Sequence, residues 1–317
     1  MTDTASRSTA GIASVSLAQP LDSIADDLGR SFAEYGFAVV RDHGIPADLI
    51  ERAEEKSKEF FALPDATKRR YKIEGGGGAR GYTPFGTEKA KDAEIFDLKE
   101  FWHVGRTLDA GHDLAEFMAP NVWPSEVDGF EDTFEALYAA FEQAGARVLE
   151  AIALHLGLDR NFFNPTVQDG NSVMRLLHYP PLGPEAPEGA IRAAAHGDIN
   201  TITLLLGAEE AGLELQAKSG EWLSVEVPEG ALVINVGDML ERLTGGALRS
   251  TTHRVVNPRG EAARRSRYSM PFFLHFRPDY MIEPLDSHRS EANPDMDLTP
   301  ITAHDFLMQR LREINLA

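Results

Sequence analysis

The chain contains 317 residues, of which 31 are Lys or Arg and 50 are Asp or Glu, so its formal net charge at pH 7 is −19. A surface this acidic repels phosphate backbones and argues against a nucleic-acid partner. The absence of cysteine excludes disulfides, thiolate zinc sites and iron–sulfur clusters. Any metal in this protein must therefore be held by histidine and carboxylate.

Membrane and export signals are also missing from the sequence. No apolar run approaches the ~20 residues that a membrane-spanning helix needs. The first 13 residues are rich in Ser, Thr and Ala and lack the basic-then-apolar order of a signal peptide. We therefore expect a cytoplasmic protein that has no membrane partner.

The predicted elements divide the chain into a helical first part and a β-rich second part. Apolar residues at helical spacing predict a helix from Leu21 to Tyr35 that ends at Gly36, followed by a buried strand over 37–40. Pro46 opens a second helix, and a long helix is predicted over 130–156. Short β-type runs separated by Gly and Pro turn signals then predict an antiparallel sandwich or barrel, and a last helix is predicted near 303–314. These runs are 173–179, 201–206, 213–216, 222–225, 231–236, 253–256 and 268–276.

Two histidines and one aspartate form a candidate metal site. His196 and Asp198 are two positions apart, so on an extended segment both side chains face the same way. His253 lies at the start of a later strand, which a barrel can bring back beside the first. Two imidazoles and one carboxylate are the ligand set of non-haem Fe(II) oxygenases, because they leave three adjacent positions open on an octahedral metal. By residue type alone a chance pairing stays open, since a histidine in a strand is often structural.

A candidate carboxylate-binding pair follows fourteen residues later. Arg267 and Ser269 share one face of a strand, where a guanidinium beside a hydroxyl can hold a carboxylate. Arg264 and Ser266 repeat the same spacing but come directly after a turn, so we expect them to be solvated. Arg267 precedes an apolar run and is predicted to point into the barrel.

The order and spacing of these motifs resemble the isopenicillin-N-synthase-like branch of the Fe(II)/2-oxoglutarate-dependent oxygenases. The resemblance runs from about residue 12 to 280 and includes Arg-Tyr-Ser-Met-Pro-Phe-Phe at 267–273 as well as the His-x-Asp and distal His motifs. Further matches are Tyr-Gly-Phe-Ala-Val-Val at 35–40, His-Gly-Ile-Pro at 43–46, Phe-Phe-Ala-Leu-Pro at 60–64, Asp-Leu-Lys-Glu at 97–100, Tyr-Pro-Pro at 179–181 and Thr-His-Arg-Val-Val at 252–256. The chain departs from the pattern at Gly197, where Thr is common, and at His178, where an aromatic or another basic residue is common.

The resemblance implies a mainly β fold with flanking helices, in which a double-stranded β-helix (jelly-roll) barrel is preceded by a helical N-terminal segment. It implies an N-terminal segment at 12–125 that packs on the barrel, a jelly-roll core at 170–280 and a C-terminal helical extension at 281–317. Loops such as 75–91 are expected to select the substrate.

The resemblance also implies the roles of the site residues. His196, Asp198 and His253 are implied as catalytic iron ligands. Arg267, Ser269 and Tyr179 are implied to bind the distal carboxylate of 2-oxoglutarate, with Arg175 as a further basic residue near this co-substrate. The implied cofactors are Fe(II), 2-oxoglutarate and O2, and the implied reaction couples oxidative decarboxylation of 2-oxoglutarate to oxidation of a small-molecule substrate.

Three other functions remain open at this point. A relative on the same scaffold can oxidise its substrate without 2-oxoglutarate, because Arg267 and Ser269 would grip a substrate carboxylate equally well. A cupin-type metal-dependent isomerase or hydrolase also uses histidine and carboxylate ligands in a barrel. A catalytically silent binding module is the third alternative. The primary substrate, the outcome of the oxidation and the oligomeric state are not specified by the sequence.

Overall fold

A computed structural model describes residues 11–74, 78–88, 95–182, 189–206, 212–289 and 296–313. The helices are α1 (Leu21–Tyr35), α2 (Ala47–Phe61), α3 (Asp65–Lys68), α4 (Phe130–His155), α5 (Asn164–Val167), α6 (Asp238–Leu243), α7 (Asp286–Arg289) and α8 (Ala303–Glu313). The strands are β1 (Ser14–Ser16), β2 (Phe37–Arg41), β3 (Gly81–Thr83), β4 (Glu100–Gly105), β5 (Val173–Tyr179), β6 (Ala193–His196), β7 (Ile202–Leu206), β8 (Leu213–Gln216), β9 (Trp222–Ser224), β10 (Leu232–Val236), β11 (His253–Val255), β12 (Arg267–Leu274), β13 (Met281–Ile282) and β14 (Ile301–Thr302).

Two sheets form the barrel. The larger sheet has the strand order β1-β2-β10-β7-β12-β5-β4-β3, and the smaller one has the order β6-β11-β8-β9. Within both sheets every pairing is antiparallel except the one between β1 and β2. This arrangement confirms the predicted mainly β fold with flanking helices and a jelly-roll barrel.

Helices cover the outer face of the larger sheet. The ring of Phe272 on β12 stacks on that of Phe141 on α4, with centroids 5.1 Å apart, so Phe272 faces outward. Trp102 on β4 likewise packs against Phe60 of α2 and Phe130 of α4. Because side chains alternate along a strand, the odd-numbered residues of β4, β5 and β12 face the interior of the barrel.

The interior itself holds two smaller groups of buried side chains. One joins the two sheets and contains Phe37, Ala193, Leu213, Leu215, Val225, Val233 and Val255. The other lies on the larger sheet alone and consists of Phe101, Leu177 and Tyr179. The polar side chains of the candidate site lie on the same interior faces.

The predicted helices and the eight predicted strands are confirmed, and their ends differ by at most two residues. α1 ends at Gly36 as predicted: this glycine has φ +70°, and a Cβ on it would lie 2.4 Å from Thr251 Oγ1. Among the described residues six strands were not predicted, namely β1, β3, β4, β6, β13 and β14. The N-terminal segment therefore supplies strands to the larger sheet in addition to packing on it.

Parts of the predicted substrate-selecting loop, residues 75–77 and 89–91, lie outside the described residues. Within the described ranges, no helix combines the length and apolar character needed to cross a membrane.

Candidate metal centre and carboxylate pocket

The smaller sheet brings the two candidate histidines together. His196 ends β6 and His253 begins β11, and the two residues are paired in the antiparallel register of these strands. Asp198 follows two residues after His196, and the Nε2 atom of each histidine lies 3.9 Å from a carboxylate oxygen of Asp198. One ligand atom from each of the three residues lies within 4.8 Å of the others. The fold thus assembles the three residues that the sequence singled out.

Each imidazole is oriented by its own segment of chain. The Nδ1–H of His196 donates to the carbonyl oxygen of Ala194 at 2.7 Å, and that of His253 donates to the carbonyl oxygen of Thr251 at 3.1 Å. These bonds place the proton on Nδ1, so the lone pair on each Nε2 faces Asp198 and is available to a metal.

Two neighbouring side chains hold the carboxylate of Asp198. Its Oδ2 accepts hydrogen bonds from Thr203 Oγ1 at 2.6 Å and from Asn235 Nδ2 at 2.8 Å. Burial alone would raise the pKa of Asp198, but the two imidazoles and these donors outweigh it and hold the pKa below its ordinary value. Asp198 is therefore ionised, as a metal ligand must be.

Thr203 and Asn235 are site residues that were not predicted from the sequence. The signal that could have found them is a polar residue at an interior position of an otherwise apolar strand, as in Leu-Val-Ile-Asn-Val of β10. A buried polar group in such a run needs a partner.

His196 connects the site with solvent. Its side chain keeps 39% of its surface exposed, whereas those of Asp198 and His253 are buried. Desolvation, followed in size by the neighbouring His253, lowers the pKa of His196 to about 4, so the ring is neutral near pH 7. Two histidines and one ionised carboxylate are ligand types that fit Fe(II), and His196 is the one of the three that solvent reaches.

The candidate carboxylate-binding residues lie on the interior face of the larger sheet. β12 pairs with β5 so that Arg267 lies opposite Tyr179 and Ser269 opposite Leu177. Arg267 is only 4% exposed, and its Cζ lies 5.1 Å from the centroid of the Tyr179 ring. Arg264, by contrast, has a side chain that is 78% exposed beside Glu261. The structure thus places Arg267 inside the barrel and Arg264 on the surface, as the sequence predicts.

Arg175 occupies a different part of the interior. Its Nε donates to His103 Nε2 at 2.6 Å and its Nη1 donates to Glu88 Oε1 at 3.2 Å. It precedes Tyr179 by four residues on β5, a distance of about 13 Å along a strand. Arg175 therefore lies farther along the interior face of β5 than Tyr179, the residue that pairs with Arg267.

Comparisons with known proteins decide the family. Residues 12–126 match the model of the "non-haem dioxygenase in morphine synthesis N-terminal" family, and residues 170–276 match that of the 2OG-Fe(II) oxygenase superfamily. A "2-oxoglutarate-Fe(II) type oxidoreductase" of Emericella nidulans is 34% identical over 288 residues, which cover 88% of this chain and 81% of that protein. This chain belongs to the 2OG-Fe(II) oxygenase superfamily.

Solved structures of this superfamily share the fold. A putative 2OG-Fe(II) oxygenase family protein from Caulobacter crescentus is 54% identical, with a TM-score of 0.88 over 96% of this chain and 99% of that one. A full-length Neurospora crassa protein, solved in complex with alpha-KG and thymine, is 28% identical, with a TM-score of 0.83 over 95% of this chain and 96% of that one.

These matches confirm the predicted family, including its isopenicillin-N-synthase-like branch. The protein is an oxidoreductase that uses Fe(II), 2-oxoglutarate and O2, and it couples oxidative decarboxylation of 2-oxoglutarate to oxidation of a substrate.

Proposed function

We propose that His196, Asp198 and His253 hold the iron of this oxygenase, and that Arg267, Ser269 and Tyr179 bind the distal carboxylate of 2-oxoglutarate. The observation that carries the proposal is the cluster of three ligand atoms, one from each of the first three residues, within 4.8 Å of one another. Two nitrogens and one oxygen in this arrangement bind one side of an octahedral metal and leave the other side free.

Each proposed ligand has a neighbour that fixes its orientation. The carbonyl oxygens of Ala194 and Thr251 hold the two imidazoles through Nδ1, and Thr203 and Asn235 hold Asp198 through one carboxylate oxygen. When bound, Fe(II) supplies the redox centre at which O2 is reduced while 2-oxoglutarate becomes succinate and CO2. Hydrogen bonds orient all three ligand residues before a metal binds, which favours binding.

The pocket residues act on the co-substrate through charge and hydrogen bonds. Arg267 offers a buried guanidinium, and Ser269 offers a hydroxyl two residues along the same interior face. Charge-assisted hydrogen bonds of this kind fix the direction of a carboxylate as well as its position. Tyr179, paired with Arg267 across the two strands, adds a third polar group.

We further propose that the oxidised substrate is a small molecule. The Neurospora crassa structure that is similar to this chain contains thymine together with alpha-KG. The three-part organisation into 12–125, 170–280 and 281–317, the absence of a nucleic-acid partner and a cytoplasmic location stay predictions. Fractionation of cells that express the protein tests the location.

A direct test combines metal binding with product analysis. Purified protein is loaded with Fe(II) and 2-oxoglutarate without oxygen and is then exposed to O2 together with a pool of small metabolites. Succinate should appear together with a new oxidised product, and His253→Ala should abolish both. His155→Ala is the matched control, because this histidine lies at the end of α4 beside Asp26 and should not affect turnover.

The same test separates the rival functions. Consumption of O2 at full rate with a substrate but without any 2-oxo acid would contradict the proposed pocket and favour the substrate-only oxidase. Turnover that does not depend on O2 would favour an isomerase or hydrolase.

A further inference from the structure

A group of buried charged side chains lies inside the barrel and is not used by the proposed metal and co-substrate sites. Glu88 accepts hydrogen bonds from both Lys99, at 2.7 Å, and Arg175, at 3.2 Å. Lys99 also contacts Asp97 at 2.8 Å, and His103 accepts a hydrogen bond from Arg175. We call these five residues the interior charge cluster. Its two cations and two carboxylates balance, so it carries no net charge when His103 is neutral.

His103 is held in its neutral form. Its Nδ1–H donates to the carbonyl oxygen of Gly78, which leaves Nε2 as an acceptor for Arg175. Burial, and then the positive charge of Arg175, lowers the pKa of His103 well below its ordinary value. His103 therefore orients the guanidinium of Arg175 without adding a charge.

The strand register places the cluster beside the candidate metal site. Arg175 has its Cζ 4.3 Å from the centroid of the Phe101 ring and 5.4 Å from that of the Phe273 ring. Phe273 lies opposite Thr203 in the pairing of β12 with β7, and Thr203 donates to Asp198. Adjacent strands are about 4.8 Å apart, so the backbones of β5 and β7 are separated by about 10 Å. One small molecule lying across Phe273 can span this distance.

Asp97 ties the cluster to the metal site by a second route. Its Oδ1 accepts a hydrogen bond from the backbone N–H of Ala194, two residues before His196 on β6. The cluster thus contacts both the larger sheet and β6, the strand that carries the proposed ligand His196.

One edge of Arg175 remains available to a ligand. Its Nε and one N–H of Nη1 are used by His103 and Glu88, and no residue in the described parts of the chain accepts a hydrogen bond from Nη2. The side chain of Arg175 is 19% exposed, whereas that of Lys99 is 6% exposed and already has two carboxylate partners. The open group of the cluster is therefore the edge formed by Nη1 and Nη2 of Arg175.

We propose that Arg175 binds a carboxylate of the primary substrate, whose hydrocarbon part lies on Phe273 and reaches toward the metal site. This inference rests on the proposed function, and it assigns Arg175 to the binding of the primary substrate instead of 2-oxoglutarate. A guanidinium edge with two free N–H groups matches the two oxygens of a carboxylate, which can accept two parallel hydrogen bonds. The guanidinium of Arg175 lies between the rings of Phe101 and Phe273 and is bonded to Glu88 and His103. These contacts fix its orientation before the substrate binds, which lowers the entropic cost of binding.

Matched pairs of carboxylic acids and primary amides test the substrate class. The probes are phenylacetate with phenylacetamide and hexanoate with hexanamide, titrated calorimetrically without oxygen into protein loaded with Fe(II) and 2-oxoglutarate. At least one acid should bind about tenfold or more tightly than its amide, because the amide lacks the negative charge. Arg175→Gln should abolish this preference and change the affinity for 2-oxoglutarate by no more than about twofold. Glu88 keeps Lys99 as a partner in this variant.

Two further variants control for lost charge and for folding. Arg106→Gln removes an arginine that contacts Glu142 and lies 5.9 Å from the Tyr138 ring on the helix-covered side, and it should leave both affinities unchanged. If Arg175→Gln does not fold, Arg175→Lys keeps a positive charge for Glu88 without the planar edge. It should reduce the preference for the acid by at least about threefold.

The outcomes separate this inference from the proposed function. If the wild-type protein binds no probe acid, or binds amides as tightly as acids, the carboxylate class is wrong. If Arg175→Gln weakens the binding of 2-oxoglutarate as strongly as Arg267→Gln does, Arg175 belongs to the co-substrate pocket and the inference is overturned. If the wild-type protein binds no 2-oxoglutarate at all, the proposed function fails before any probe is added.

Discussion

Replacing Arg267 by alanine should selectively weaken the binding of 2-oxoglutarate. Arg267 is 4% exposed, and its neighbours Tyr179 and Ser269 are also buried, so water cannot take over the role of the guanidinium. Truncating one partner of a buried, hydrogen-bonded charge pair costs about 2–5 kcal/mol. This range corresponds to a dissociation constant that is about 30- to 5,000-fold higher.

The surface arginine three residues earlier provides the matched control. The side chain of Arg264 is mostly exposed and lies beside Glu261, which is equally exposed, so Arg264→Ala should change the affinity for 2-oxoglutarate by less than about twofold. Calorimetric titration of 2-oxoglutarate into Fe(II)-loaded protein without oxygen measures both variants, and circular dichroism checks their folding. Equal effects of the two substitutions, or the reverse order, would refute the assignment of the pocket.

Shortening the ligand tests the same pocket without mutation. Oxaloacetate has one methylene less than 2-oxoglutarate, so its far carboxylate cannot reach Arg267 and Ser269 while its 2-oxo acid end remains in place. A buried arginine without its partner has an uncompensated charge and unsatisfied hydrogen bonds, so binding loses more free energy than the contact itself supplies. Turnover should stop with oxaloacetate, and full turnover with it would contradict the proposed position of the carboxylate.

Three further predictions concern the metal ligands and their surroundings. Asp198→Ala should abolish Fe(II) binding, whereas Asn235→Ala, which removes only a donor to that carboxylate, should weaken binding about 10- to 100-fold in a metal titration. Gly237→Ala should lower the free energy of unfolding in urea by about 1–3 kcal/mol, because its Cβ would lie 2.0 Å from a backbone oxygen. Gly197→Ala is the control and should leave this free energy nearly unchanged, because its Cβ would lie 3.4 Å from the nearest atom. Burial raises the pKa of Glu241 to about 7 from an ordinary 4.5, so the folded protein keeps this proton after the unfolded chain has lost it. The resulting stability, at most about 3 kcal/mol, is complete below about pH 4.5 and is lost as the pH rises through 7, so Glu241→Gln should lose less stability between pH 5 and pH 8.

Each of these predictions has an outcome that would contradict it. Full iron occupancy in Asp198→Ala would contradict the assignment of Asp198 as an iron ligand. Equal stability of the Gly237→Ala and Gly197→Ala variants would contradict the close packing of Gly237 against the backbone of Asn200. An unchanged pH dependence in Glu241→Gln would show that another group titrates in that range.

The sequence predicted the elements whose residues carry a periodic pattern. α1, α2 and α4 have apolar residues at helical spacing, and β2 begins with a continuous apolar run at 37–40, so local sequence and final structure agree. β6 was missed because Ala193, Ala194 and Ala195 have low strand propensity. Its strand form depends on pairing with β11, which is distant in sequence.

Some parts of the candidate site could likewise be predicted from the sequence and others could not. The His196–Asp198 pair and the Arg267–Ser269 pair follow short spacings that the sequence displays directly, and His253 was singled out by its place at the start of a later predicted strand. The interior charge cluster does not, because Glu88, His103 and Arg175 lie on separate segments and meet only when β4 pairs with β5. Arg175 could be recognised as a basic residue near the site, but its partners, and hence the group it presents to a ligand, required the folded chain.

The position of β2 within the larger sheet has a consequence for biosynthesis. β2 lies between β1 and β10, and Val40 pairs with Leu232, so its partner is translated long after it. Until then the nascent chain carries an apolar strand edge that nothing covers, and such edges promote association between chains. The larger sheet can therefore be completed only after β10 has been translated. Deleting the first 41 residues would for the same reason expose the edge of β10 rather than trim a peripheral module.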